Sequence, residues 1–149
     1  MQNLVADKLV AEKVALVIFD WDGTVMDSVG RIVSSMRAAA LKSELIVPSE
    51  FAVKQIIGLS LDPAFDILFP QSNELQRQQL LAHYRDHYTL YDTTPTPLFA
   101  GVEQVLQQLK DSNIKLAVAT GKQRRGLARM FAETGLEKYF DTSRCADEA

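Results

Sequence analysis

Residues 14–19 form an unbroken apolar run, Val-Ala-Leu-Val-Ile-Phe, that ends in charge. Its length and β-branching predict a strand buried on both faces. Residues 114–119 are a second such run. Just ahead of it, Val102, Val105, Leu106 and Leu109 recur at i, i+3, i+4 and i+7, the apolar face of a helix. Asp111, Ser112 and Asn113 supply the turn between that helix and the second run. Beyond it, Leu127, Met130 and Phe131 repeat the helical spacing, and Gly135 suits the helix end. Tyr139, Phe140 and Asp141 open a third short element running to Cys145. The order strand, helix, strand, helix, strand predicts an α/β fold with a parallel sheet.

The period changes between Asp27 and Leu98. Ile32, Met36 and Ala40 predict one amphipathic helix, which Asp27 and Ser28 are placed to cap. Asp62 followed by Pro63 predicts another helix start, a capping carboxylate with proline at the first position. Leu81, Tyr84, Tyr88 and Tyr91 line one face of a long helix, more in the manner of a core stripe than of a ligand cage. No strand pattern occurs in this span. Thr93, Thr94, Pro95, Thr96 and Pro97 form the return linker, because each proline disfavours helix in the residue before it. The expected organisation is a core from residues 1–26 and 97–149, with a helical module of residues 27–96 inserted after the first strand.

Composition narrows the function. Among 149 residues, 47% are hydrophobic and 23% charged, as in ordinary globular domains. The net charge of -3 offers no basic excess for nucleic acid. The single cysteine, Cys145, excludes an internal disulfide framework and a multi-cysteine zinc site. No run is long enough to span a membrane, and the start, Met1 to Lys8, carries charge where a leader has its apolar stretch. The expectation is a soluble cytoplasmic protein, monomer or homodimer.

The segment that carries chemistry is Asp20, Trp21, Asp22, Gly23 and Thr24. In parallel α/β sheets ligands bind beyond the carboxyl ends of the strands. Residues two apart in extended chain project to one side, so Asp20 and Asp22 can converge. Converging carboxylates repel unless a cation intervenes. The pair therefore suits a hard cation, most simply Mg²⁺, or a division into nucleophile and acid/base. It also suits a plain strand-end turn ahead of a helix. Gly23 lets the chain turn away, and the Thr24 hydroxyl is placed to orient a neighbouring carboxylate. At the end of the second run, the Thr120 hydroxyl and Gly121 N–H can donate to a phosphate oxygen at a helix start. Lys122, Arg124 and Arg125 either draw an anion there or form an exposed first helical turn.

Asp20, Asp22, Gly23 and Thr24, then a helical insert, then a strand ending in Thr120, Gly121 and Lys122, resemble the haloacid dehalogenase superfamily. The likeness is greatest to the phosphoglycolate-phosphatase-like branch, with its small helical cap, and it extends to the Gly58 region and to residues 98–102. It implies a Rossmann-like parallel core with an inserted α-helical cap. It implies that Asp20 is the nucleophile and forms an aspartyl-phosphate, and that Asp22 protonates the leaving alcohol and then activates water. It further implies that Asp20 and the Asp22 backbone carbonyl hold Mg²⁺, and that Trp21, Asp22, Thr120, Gly121 and Lys122 form the phosphate-binding set. The substrate it implies is a small phosphorylated metabolite, with no nucleic acid or membrane partner. Dehalogenases of the superfamily lack the second aspartate, and phosphonatases carry alanine there, so Asp22 favours phosphate esters. Sugar-phosphate mutases share the pair and remain an alternative, as does a non-catalytic binding module.

The same resemblance calls for a lysine after the third strand and an acidic pair after the next. Neither is present; Asp147 and Glu148 follow the wrong strand, and Lys122 lies on the wrong motif. The first strand would also be an unpaired sheet edge. The expectation is a core incomplete at the C-terminus, from a parent with at least two more strand–helix units, and little turnover as given. His83 and His87 stand at i, i+4, but Tyr84 replaces the glutamate of the zinc-protease motif and no third ligand is evident, so a solvated helix face is expected. Trp21 is expected to pack against core or cap, and Cys145 to be a buried strand residue.

Overall fold

The computed structural model describes residues 4–149. The reading of Met1, Gln2 and Asn3 as part of a charged, non-leader start lies outside them. In chain order the elements are α1 (Leu4–Ala11), β1 (Leu16–Phe19), α2 (Val29–Lys42), α3 (Glu50–Gln55), α4 (Leu61–Leu68), α5 (Glu74–Asp86), α6 (Val102–Asp111), β2 (Lys115–Ala119), α7 (Arg124–Thr134) and β3 (Thr142–Arg144). The chain divides into two compact units, Met1–Val25 with Leu98–Ala149, and Met26–Pro97.

The first unit is α/β. Its three strands lie in the order β1-β2-β3, parallel throughout. Phe19 pairs with Val118 and Ala119 with Arg144, so all three strands end on one side. β2 is the central strand, and Leu116, Ala117 and Val118 are buried in it. Leu106 and Leu109 of α6 and Leu127, Met130 and Phe131 of α7 are buried as the helical periodicity requires. Gly135 ends α7 in a left-handed conformation (φ 71°) that a side chain would strain.

Several expectations are corrected here. β1 is not buried on both faces. It is an edge strand with only β2 beside it among the described residues, and Leu16 and Ile18 are 46% and 59% exposed. The third element does not begin at Tyr139. Residues Leu136–Tyr139 form a 3₁₀ turn, and the strand is only Thr142–Arg144, because the Asp141 carboxylate and backbone N–H are both tied to Leu116. Cys145 lies one residue past that strand, buried as expected. Helix α1 was not expected. Its only buried residue is Ala6, so it leaves no apolar stripe to read.

The second unit is all helical among the described residues. Ile32, Val33, Met36, Ala39 and Ala40 of α2 pack with Val53, Ile56, Ala64, Phe65, Phe69, Leu80 and Tyr88 into one core. Ser28 occupies the cap position of α2, but its side chain makes no capping bond. α4 begins at Leu61 with Ser60 before it, which moves Asp62 and Pro63 inside the first turn. α5 has an unforeseen capping box, Asn73 with Gln76. It does not continue regularly to Tyr91, because His87–Tyr91 form a π-helical turn. That extra residue rotates Tyr91 out of the stripe and leaves it exposed, while Tyr88 stays buried. Arg31 holds the turn, donating from Nε to the Tyr88 carbonyl (2.8 Å) and from Nη1 to the Thr94 carbonyl (3.2 Å). His83 and His87 are half-buried instead of solvated, and the His87 ring meets Tyr91 at 5.7 Å. Residues 93–97 form the extended linker anticipated from the prolines.

Candidate active site

The sheet register decides which groups share the strand ends. Because Phe19 pairs with Val118, the chain leaving β1 at Asp20 runs beside the chain leaving β2 at Thr120. At Gly23 the backbone adopts φ 76° and folds into a turn, with the Val25 N–H donating to the Trp21 carbonyl at 2.9 Å. This holds Asp20 and Asp22 at the rim instead of letting the strand run on.

Asp20 is half-buried, and its Oδ1 accepts from the Trp21 N–H at 2.7 Å. Its carboxyl is raised above the usual carboxylate range. Burial is the larger cause and the negative charge of Asp22 adds to it, while the Trp21 N–H works in the opposite sense. The charge of Asp22 thus acts on Asp20. Asp22 also has a partner that the sequence reading did not assign. Lys122 Nζ lies 3.2 Å from Asp22 Oδ1, and both side chains are nearly enclosed, at 14% and 12% exposure. The available signal was the register, which sets a lysine three residues beyond the end of β2 opposite the acidic pair.

Thr120 follows β2, its N–H donating to the Arg144 carbonyl and its Oγ1 accepting from the Lys122 N–H at 3.1 Å. The hydroxyl hydrogen is left for another acceptor. Gly121 lies between them, half-buried. Asp20, Asp22, Thr120, Gly121 and Lys122 thus belong to one side of the sheet in the first unit. Trp21 differs. Its indole is fully buried, edge-on to Phe131 (5.5 Å) and Phe140 (6.5 Å), so only its backbone faces site chemistry. Thr24 is exposed within the turn.

Arg124 is engaged elsewhere. Its guanidinium donates to Ser143 Oγ at 2.7 Å and to Glu148 Oε1 at 2.6 Å, and its N–H donates to Asp147 Oδ1. This accounts for Asp147 and Glu148, which serve the start of α7. Arg125 is exposed. The Cys145 thiol is pushed up to about 11 from an ordinary 9.0, chiefly by burial. A raised thiol pKa stabilises the fold fully below the unfolded value, and that contribution disappears as pH climbs toward about 11. A thiol-labelling reagent at pH 8 should accordingly leave Cys145 unmodified in the folded chain and react at once in denaturant; rapid native labelling would contradict the burial.

Among the described residues, no group of three or more His, Cys, Asp or Glu is placed to hold a metal ion, and no helix is long and apolar enough to cross a membrane. A family model described as haloacid dehalogenase-like hydrolase matches residues 17–149. The chain is 32% identical over 130 residues to the tyrosine-protein kinase PtkA of Mycobacterium tuberculosis, covering 87% of this chain and 44% of that protein. It is 27% identical over 139 residues to the phosphoglycolate phosphatase of Photobacterium profundum, covering 87% of this chain and 59% of that one. A crystal structure of a predicted phosphatase from Clostridium acetobutylicum superposes with a TM-score of 0.77 at 26% identity, covering 91% of this chain and 63% of that one. The chain thus spans between two-fifths and two-thirds of the length of these relatives.

Proposed function

The chain belongs to the haloacid dehalogenase-like hydrolase family, and from that premise we propose that it carries the nucleophile half of a phosphatase acting on a small phosphate monoester. One observation carries the reading. Two electrostatically coupled carboxylates and a lysine meet where β1 and β2 end. In the proposed reaction an Asp20 carboxylate oxygen attacks phosphorus in line with the ester oxygen. The phosphorus–ester bond breaks, and the departing alkoxide takes a proton from the Asp22 carboxyl. Water then attacks the aspartyl-phosphate and gives its proton back to Asp22, which releases phosphate and restores Asp20. Thr120 and Gly121 donate to the phosphoryl oxygens.

Magnesium suits the donors present. The Asp20 carboxylate and the Asp22 backbone carbonyl are hard oxygens of the kind magnesium takes, both supplied by the chain just past the end of β1. When bound, the ion would neutralise charge between carboxylate and phosphoryl group. The inserted unit, residues 27–96, acts as the cap in this reading.

A second reading rests on the 32% identity to a protein named a tyrosine-protein kinase. The same Asp20 chemistry would then deliver phosphate to a hydroxyl instead of water. The test is phosphate release from a panel of small esters, run on the 149 residues and on the chain with whatever the gene encodes after Ala149. Magnesium-dependent release supports the phosphatase. ATP-dependent labelling of a tyrosine peptide, or interconversion of hexose-phosphate isomers without release, selects the kinase or the mutase. No reaction in any assay favours a binding module.

A further inference from the structure

The Lys122–Asp22 ion pair is held in an unusual way. The backbone of Lys122 is fixed on both sides, its N–H donating to Thr120 Oγ1 at 3.1 Å and its carbonyl accepting from the Ala146 N–H at 2.8 Å. Any movement at this position is therefore movement of the side chain. That side chain is a flexible four-carbon stem with a compact charge and three donors, which need not be spent on one acceptor. Its stem starts between Thr120 and Gly121 on one side and the start of α7 on the other, where a phosphoryl group is expected. Its tip reaches Asp22 instead, at 3.2 Å in a nearly enclosed setting.

An enclosed carboxylate is costly to leave unpaired, and so is an enclosed ammonium. With no phosphate present, the two are paired with each other. A phosphoryl group changes the balance, because it brings two negative charges and three acceptor oxygens to the same few ångströms. Asp22 must also be released if it is to face the ester oxygen.

We propose that Lys122 is a partner-exchanging residue, which holds the Asp22 carboxylate in the empty site and passes to the phosphoryl oxygens when substrate enters, freeing Asp22 to take up a proton from solvent and then give it to the leaving alkoxide. This rests on the phosphoryl-transfer reading above and adds a ligand-triggered step to it. Before binding, the lysine offsets the Asp22 charge that would oppose the incoming anion. After binding, it counters charge on the transferring group. The exchange couples arrival of the correct anion to assembly of the reacting geometry.

The probe is inorganic phosphate in a magnesium buffer, read by NMR on the Lys122 ammonium of the unmodified chain. Without phosphate, Lys122 ¹⁵Nζ should show a through-hydrogen-bond coupling to Asp22 ¹³Cγ. With phosphate, that coupling should vanish and one to ³¹P should replace it. K122M should weaken phosphate binding by about ten- to hundredfold, the worth of a charge-assisted hydrogen bond, and K122R should restore most of it. Far-ultraviolet circular dichroism checks that each variant folds, and the unmodified-chain measurement needs no variant. If phosphate binds and Lys122 stays on Asp22, or if K122M binds as tightly as the parent, the exchange is wrong and the phosphoryl-transfer reading stands. If the unmodified chain binds neither phosphate nor a phosphate ester, both are wrong, and that result appears before any substitution is made.

Discussion

Asp20→Asn should abolish phosphate release, by at least about 10⁴-fold, in whichever form of the protein turns over substrate. The amide keeps the shape of the side chain but has no electron pair basic enough to attack phosphorus. The substitution should not unfold the protein. The Asp20 carboxyl is raised by burial and by its neighbour Asp22, so its ionised form is less favourable in the folded state than in the unfolded one. The sign follows from linkage: a carboxyl with a raised folded value favours the fold when protonated and weakens it as pH rises to neutrality. The amide removes that penalty, and the variant should melt at or above the parent's temperature near pH 7. Loss of turnover with stability retained is the expected pair of results, measured by phosphate release and by a thermal melt. Turnover within tenfold of the parent would remove Asp20 from the nucleophile's role.

Trp21→Ala should show the opposite pattern, with its largest effect on stability. The indole is fully buried between Phe131 and Phe140, and Phe19 and Phe140 meet at 6.2 Å beside it. Its removal leaves a ring-sized void at the residue between the two aspartates in sequence, in a unit whose sheet has three strands among the described residues. Deleting such a side chain costs about 3–5 kcal/mol. At about 2–4 °C per kcal/mol for a chain of this size, the melting temperature should fall by about 10 °C. Trp21→Phe should recover much of this, because the indole Nε1 has no hydrogen-bond partner among the described residues to lose. Equilibrium denaturation of the three proteins decides it. A loss below about 1 kcal/mol for Trp21→Ala would mean the aromatic cluster does not support the strand end.

The two variants also separate what could be read from the chain from what could not. The apolar runs at residues 14–19 and 114–119 announced the parallel strands, and the Leu106, Leu109, Leu127 and Phe131 spacing announced the helices between and after them, because helix burial follows a fixed period. The acidic pair was legible for the same reason, since two residues apart in extended chain is a geometric statement. The Lys122–Asp22 contact was not, because it joins segments far apart in sequence and depends on the register of β1 against β2. The helices α1 and α3 escaped notice, having one buried residue each, Ala6 and Val53. The π-helical turn at His87–Tyr91 shifts a tyrosine by one residue, below what apolar spacing resolves. β1 misled because an apolar run looks the same whether both its sides are covered or only one.

The first unit is discontinuous in the chain, and the second is not. On the ribosome, the helical unit is complete once Pro97 has emerged, and it can fold while the rest is still being made. β1 precedes the insert, and its partner β2 arrives only after the whole of it. Until then Leu16 and Ile18 stay open to other chains, and closing the sheet across that span is the slow event. The pace of maturation is set by the wait of β1 for its neighbour.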